Sequence, residues 1–429
     1  MKWMEKKMKI LWVVNSPIGP IGEELNGKRI NGVWMDALLE SFKTQEMVKI
    51  VVATTANISD TMKFVEYNIY YYALPKSVPI LYDENDSVNI EAWKNLINEE
   101  KPDLIQVWGT EFTHGLCALR VAKNIPSIIY MQGYLQSIAR HYLAGMTSDE
   151  LRKSVTFRDF LKNDSIVQQQ KKYWNSAKKE KEMLDIAGRI ISENEWCDLS
   201  VQAFAPETKI YHCPLSVNKV FSKAEWNINK AEAHSIICTA SGYPLKGLHM
   251  VLRAVALLKK KYPDIRLYIP GAKMVSDKSV QWLLRKRGYT KYIEHLIAEL
   301  DIAENIVWLG QVSQEKLAEY YTKVRVFVLS SSIENHSSSL KEAMMVGTPS
   351  VASAVGGIPE YVEHGENGFL YRFEEYEVMA GYIKKIFEND ELAEKLSVSA
   401  RNKMIALHGE SDICHIVKDI YDRVLKENE

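Results

Sequence analysis

The chain has 429 residues, 46% of them hydrophobic, with 54 Lys and Arg against 55 Asp and Glu and a formal net charge of −1. That length has room for two Rossmann-sized domains, each with its own core, and the balanced charge excludes the basic field that nucleic acid demands. Cys117, Cys197, Cys213, Cys238 and Cys414 are scattered without a CxxC pair, which suits a reducing cytosol and offers neither a disulfide framework nor a zinc site; no apolar signal core or 18-residue apolar run is found, so nothing is expected to span a membrane.

In chain order, residues 9–14 (KILWVV) read as a strand, followed by a Gly-containing loop and a helix over 32–42. Apolar runs at 48–53, 104–108 and 127–131 read as further strands. Helical patterns separate them, which argues a parallel sheet. A long polar helical region covers about 138–187, and short strands at 189–192 and 209–213 close this half. The second half has strands at 235–239, 265–269, 306–309, 324–329, 350–352 and 369–371, and three helices finish the chain. The expected fold is α/β with two Rossmann-like domains, 1–215 and 216–405, followed by a C-terminal helical segment over 406–429.

The most informative stretch is SSSIENHSSSLKEAMMVGTPSVASAVGGIPEYVEHGENGFLY, residues 330–371. Glu334 falls in a loop after an apolar strand. Glu342 lies about one turn inside a helix starting near Ser338, which Gly347 and Pro349 terminate. The free N–H groups of that helix start, with Ser337, Ser338 and Ser339 around them, suit a diphosphate. A carboxylate one turn further in can accept two hydrogen bonds from a ribose diol, and one in the preceding loop can reach sugar hydroxyls. These residues therefore describe a site for a nucleotide diphosphate-sugar. The bland reading is a capped helix with solvated carboxylates.

The spacing and its sequel (EAM, GTP, GG, PE, G.NGFL) resemble the nucleotide-sugar motif of glycosyltransferase family 4, retaining enzymes of the GT-B fold with parallel sheets facing a central cleft. The resemblance runs over nearly the whole chain and is strongest over 235–371. It implies donor contacts from Gly242, Lys246, Gly310, Asn335, His336, Ser337, Ser338, Ser339 and Glu342, with Glu334, Lys246 and Gln132 at the reacting sugar. It also implies that the last helix crosses back onto the N-terminal domain.

IICTASGYPLKGLHMVLRAVALL, residues 236–258, gives the second motif: a strand, a short Gly/Pro loop, and a helix with apolar residues at helical spacing. Lys246 ends the loop, where an ammonium can neutralise a diphosphate. The family usually carries Arg about five residues earlier, and this chain has Ser241 there. In the N-terminal half, residues 105–115 and 127–146 resemble the loops lining the acceptor side, with His114 and His141 beside them. The family's His before the glycine of the second loop is Gln132 here, a neutral amide that still donates and accepts.

Two other readings are weighed. GEELNGK at 22–28 nearly matches a P-loop, but Arg29 replaces the Ser or Thr that would hold Mg²⁺. The glycines of that stretch, with Gly32, instead resemble the N-domain loop facing diphosphate and acceptor. No Asp-x-Asp occurs, so the expectation is catalysis without a metal ion or other cofactor. Basic runs at 1–9 and 171–181, mixed with Trp, Tyr and Met, could rest on an anionic bilayer carrying lipid-linked acceptors.

The expectation is thus a cytoplasmic, retaining glycosyltransferase using a UDP-linked sugar and a glycan or lipid-linked acceptor of polysaccharide biosynthesis. A non-catalytic nucleotide-sugar-binding subunit and a nucleotide-sugar epimerase of the same fold stay open as alternatives.

Overall fold

The computed structural model describes residues 7–27, 34–77, 85–112, 114–215, 217–239, 242–275, 284–408 and 413–428. The chain divides into two units: Met1–Leu135 with Asn175–Ser216 and Asp412–Glu429, and Gln136–Trp174 with Val217–Ser411.

The first unit holds β1 (Met8–Val13), β2 (Val48–Ala56), β3 (Met62–Glu66), β4 (Ile69–Pro75), β5 (Leu104–Trp108), β6 (Ser127–Tyr130), β7 (Arg189–Ser192) and β8 (Lys209–His212). They form one sheet in the order β3-β4-β2-β1-β5-β6-β7-β8, parallel throughout except for the antiparallel β3–β4 pair. The near-continuous apolar runs of β1 and β5 fit strands covered on both faces. Trp12 packs edge-on to Trp108 at 4.8 Å, and Trp108 stacks on Tyr130 at 4.9 Å. The C-terminal helix Ile413–Lys426 buries Cys414, Val417, Ile420, Tyr421 and Val424 on one stripe against this core. There the Tyr421 hydroxyl accepts from Trp12 Nε1 at 2.9 Å and donates to Gln106 Oε1 at 2.5 Å.

Two local expectations are corrected. The β3–β4 hairpin is absent from the sequence reading because its turn uses Tyr67 at φ 55° rather than an Asn-Gly signal. The stretch after β1, read as a long glycine loop, contains the helix Gly19–Asn26, with a proline in its first turn and Gly27 as its left-handed cap.

The second unit holds β9 (Glu232–Ile237), β10 (Arg266–Pro270), β11 (Ile306–Gly310), β12 (Val324–Leu329), β13 (Ser350–Ser353) and β14 (Phe369–Tyr371), all parallel in the order β11-β10-β9-β12-β13-β14. Strand order reverses between β9 and β12. The segments leaving their carboxyl ends, described at 238–239 and 242–247 after β9 and at 330–337 after β12, therefore open at a topological switch point, where parallel sheets bind ligands.

Residues 136–174 pack in this second unit, whereas their place in the chain had put them in the N-terminal domain. His249 Nε2 donates to the Ala144 carbonyl at 2.9 Å, Glu150 accepts from Arg253 at 2.8 Å and Tyr292 at 2.7 Å, and Thr156 Oγ1 donates to the Lys286 carbonyl at 3.0 Å. The helical region read as one piece is broken into Leu135–His141, Ser148–Ser154, Phe157–Lys162 and Ile166–Ala187, with capping boxes at Thr147/Glu150 and Thr156/Asp159 starting the middle two.

Candidate functional site

The loop after β9 ends in a single 3₁₀ turn, Pro244–Lys246, closed by Gly247 in the left-handed conformation (φ 65°). A Cβ on Gly247 would stand 1.7 Å from the Ser330 carbonyl oxygen, so glycine is required for the two switch-point loops to touch. Ser332 N–H donates to the Leu245 carbonyl at 2.8 Å, and the Ser330 hydroxyl donates to the Lys246 carbonyl at 2.9 Å. The Ser332 hydroxyl also donates to the His141 carbonyl at 3.0 Å, which brings that segment to the same loop.

This clasp sets two charges together. Lys246 Nζ lies 2.5 Å from Glu334 Oε1, and the Ser331 hydroxyl donates to the same oxygen at 2.5 Å. Burial works against the ammonium, and the neighbouring Glu334 carboxylate overrides it, holding Lys246 above its ordinary pKa. Lys246 is thus a fixed cation at neutral pH. From the other side, Gly356 (φ 53°) lets the chain pass so close that a Cβ there would meet the Glu334 carbonyl oxygen at 1.7 Å.

Helix Ser338–Val346 starts directly after this loop. Ser337 caps it, its hydroxyl accepting from Leu340 N–H at 3.3 Å, and the Ser337 and Ser339 hydroxyls lie 3.2 Å apart. Thr239, from the loop after β9, donates to Ser339 at 2.9 Å. Ser338 is exposed, Asn335 and Ser337 are buried, and His336 packs edge-on against Tyr361 at 4.7 Å. Sequence reading missed Lys341: buried to 1% exposure, it places Nζ 3.0 Å from His336 Nδ1, a second cation beside the helix start. A lysine between Leu340 and Glu342 reads as an ordinary helix residue, so only burial reveals it.

Glu342 is half-buried, and burial pushes its carboxyl up to about 7, only partly offset by Lys341. The charge of Glu342 in turn reaches the buried phenol of Tyr321. A desolvated acceptor one turn inside a helix suits a neutral diol, whose hydroxyls supply the hydrogen bonds that water supplies elsewhere. Gly242 and Gly310 border open space, and the Gly310 carbonyl accepts from Gly271 N–H at 2.8 Å. Gly32 and Ser241 lie outside the described residues.

In the first unit, Gln132 follows β6 and Gly109 (φ 76°) follows β5. A Cβ on Gly109 would lie 2.2 Å from Glu111 Oε2 and 3.0 Å from Gln132 Oε1, so these two side chains converge over its backbone. Glu111 Oε2 is buried without a hydrogen-bond partner, and burial pushes this carboxyl up to about 7 despite backbone N–H groups of Thr110 and Glu111 that favour its charge. Sequence reading missed Glu111. Its only signal was an acidic residue just past a buried parallel strand. The loop is held by Glu180, which accepts from the Thr110 hydroxyl at 2.5 Å and from Leu135 N–H at 3.0 Å. His114 is only 2% exposed; burial lowers its pKa to about 4, with the Trp108 and Val13 backbones opposing, so it stands neutral inside the unit. Among the described residues, no three His, Cys, Asp or Glu side chains converge as a metal ligand set.

Residues 221–403 match the family described as glycosyl transferases group 1. Over 191 residues the chain is 32% identical to a D-inositol 3-phosphate glycosyltransferase of Streptomyces griseus, a match covering 43% of this chain and 38% of that protein. The chain therefore spans well under two thirds of that relative's length. Two solved structures align over nearly all of both chains. Sucrose-phosphate synthase from Thermosynechococcus elongatus does so at TM-score 0.69 and 16% identity, covering 98% of this chain and 100% of that one. Anabaena HepE in complex with UDP-glucose does so at TM-score 0.61 and 17% identity, covering 97% and 99%. Residues 221–403 are accordingly a domain of the glycosyl transferases group 1 family, carried in a chain of GT-B fold.

Proposed function

We propose that the chain is a retaining glycosyltransferase, independent of metal, that moves a sugar from a UDP-linked donor to a glycan or lipid-linked acceptor in polysaccharide assembly on the cytoplasmic side of a membrane. The observation that carries the reading is the Lys246–Glu334–Ser331 cluster at the switch point, beside the capped helix that bears Glu342. In this reading the diphosphate sits between the helix start and Lys246, Glu342 accepts from the ribose diol, and Glu334 accepts from sugar hydroxyls. Negative charge growing on the leaving diphosphate is stabilised by Lys246 and the helix amides. The diphosphate helps to take the proton from an acceptor hydroxyl on the same face. Gln132 contacts the sugar through its neutral amide. The Anabaena structure of the same fold, solved with UDP-glucose, supports a donor of this class.

The test is a thermal-shift panel of UDP, GDP, ADP and dTDP with their sugars. A ligand at 100 times its dissociation constant stabilises by about 2.7 kcal/mol. UDP and a UDP-sugar should stabilise the wild-type protein by that amount, and one to two decades of lost affinity should leave Glu342→Ala only about 0.4–1.4 kcal/mol of it. Slow donor hydrolysis without acceptor separates an enzyme from a binding subunit, and release of an isomeric sugar would identify an epimerase.

A further inference from the structure

The helix Phe157–Lys162 is inside out. Phe157, Phe160 and Leu161, spaced i, i+3, i+4 on one face, are 68%, 77% and 66% exposed, while Asp159 on the opposite face is fully buried. The fold fixes that orientation: Asp159 closes the capping box with Thr156 and pairs with Arg158, and Thr156 is tied to Lys286. The aromatic face therefore cannot turn inward without stranding a buried carboxylate. Val155, 39% exposed, extends the patch, and the Lys291 ammonium donates to its carbonyl at 3.0 Å. Leu284, 62% exposed, lies two residues from the Lys286 carbonyl that receives Thr156.

Around this wedge the charge is one-sided. Residues 147–170 and 284–294 carry eight Lys and Arg against five Asp and Glu, in a chain whose net charge is −1. Lys162, Arg285 and Arg287 are exposed, as are the Arg152 and Lys153 side chains, at 80% and 73%. Asp159 and Asp164 are held by Arg158, Asp149 by Arg152 and Lys153, and Glu294 by Lys286, which leaves Lys162, Arg285 and Arg287 as exposed cations outside those pairs.

We infer that the Phe157–Phe160–Leu161 face is a docking surface for an anionic lipid bilayer, with the aromatic wedge entering the headgroup boundary and the surrounding cations meeting lipid phosphates. Large side chains bury about 150–250 Å² each, so three at this exposure offer roughly 400 Å², about half of the ~800 Å² per partner that a stable protein interface needs. A bilayer sets no such minimum, and apolar insertion adds to attraction by cations about one Debye length from the surface. This surface is distinct from the basic runs at 1–9 and 171–181, and it stands independently of the donor-site reading.

The experiment is co-sedimentation of the full chain with phosphatidylcholine vesicles, with and without about one third phosphatidylglycerol. Wild-type protein should partition onto the anionic vesicles and much less onto the neutral ones, and the Phe157→Ser, Phe160→Ser double variant should bind about tenfold less. Both side chains are exposed, so the double variant should keep the wild-type unfolding temperature and the wild-type thermal shift with UDP. Equal partitioning of wild type and double variant would overturn the inference, as would absence of wild-type binding to anionic vesicles. A wild-type dimer that the double variant dissociates, read by light scattering, would assign the face to a second copy and overturn it equally.

Discussion

Glu342→Gln pits two demands on one carboxylate against each other. Burial pushes its pKa from 4.5 to about 7. The folded protein therefore holds the proton more tightly than the unfolded chain does. Below about pH 4.5 both states are protonated and the side chain costs nothing. As pH rises towards 7 the unfolded chain ionises first and stability falls, and above 7 the loss is complete. At about 1.4 kcal/mol per pH unit the full gap is about 3 kcal/mol, and residual solvent access reduces it to about 1–3 kcal/mol. Gln keeps the shape and removes the charge, so the variant should be more stable by that amount at pH 8, with the gain shrinking towards pH 5. Denaturant unfolding at the two pH values measures it. The same change should weaken UDP binding by about 1.5–3 kcal/mol, one to two decades, because a charged acceptor for the ribose diol is lost. In the wild type, only the ionised form accepts both hydroxyls, so affinity should be about tenfold lower at pH 6 than at its plateau above pH 8. A variant no more stable at pH 8 would show that the carboxylate is not desolvated. A variant that bound UDP like wild type would remove the ribose from this residue.

Lys246→Ala should cost several decades of transfer rate, since charge develops beside it, and transfer should persist in excess EDTA; abolition by the chelator with recovery on Mn²⁺ would refute the mechanism. Gly356→Ala should displace the Glu334 loop, because the new Cβ would fall 1.7 Å from a carbonyl oxygen at positive φ; stability should drop by about 1–3 kcal/mol together with turnover, and an unchanged unfolding temperature would count against the close approach. Gln132→Ala should lower turnover by about 1–3 kcal/mol while sparing UDP affinity, and Gln132→His should add a pH dependence between about 6 and 7 that differs from the parent's; an unaffected rate in the alanine variant would place Gln132 outside the site. Glu111→Gln should likewise stabilise the first unit above pH 7 and not below pH 5, by the same sign argument, as read from unfolding curves.

The sequence by itself determined the architecture and the donor helix, because both rest on local chemistry. Apolar runs ended by turn residues marked β5, β7, β12 and β14 to the residue. The serines before Leu340 and the Gly347 stop bounded the helix that carries Glu342. Resemblance to a motif with fixed spacing singled out Lys246 and Glu334. Only tertiary structure decided what those groups meet. Residues 246 and 334 are 88 positions apart, and parallel strand order with a reversal between β9 and β12 brings them to 2.5 Å. Burial is likewise a property of the packed chain. Nothing local distinguishes Lys341 or Glu111 from solvated neighbours, and nothing local says that Asp159 faces inward while Phe157 and Phe160 face water. The β3–β4 hairpin stayed hidden for a related reason: pairing of its two strands holds the exposed Tyr67 in a left-handed turn that its own propensity disfavours. Local pattern thus specifies the elements, while desolvation and long-range pairing, which set the chemistry of a site, exist only once the chain has closed on itself.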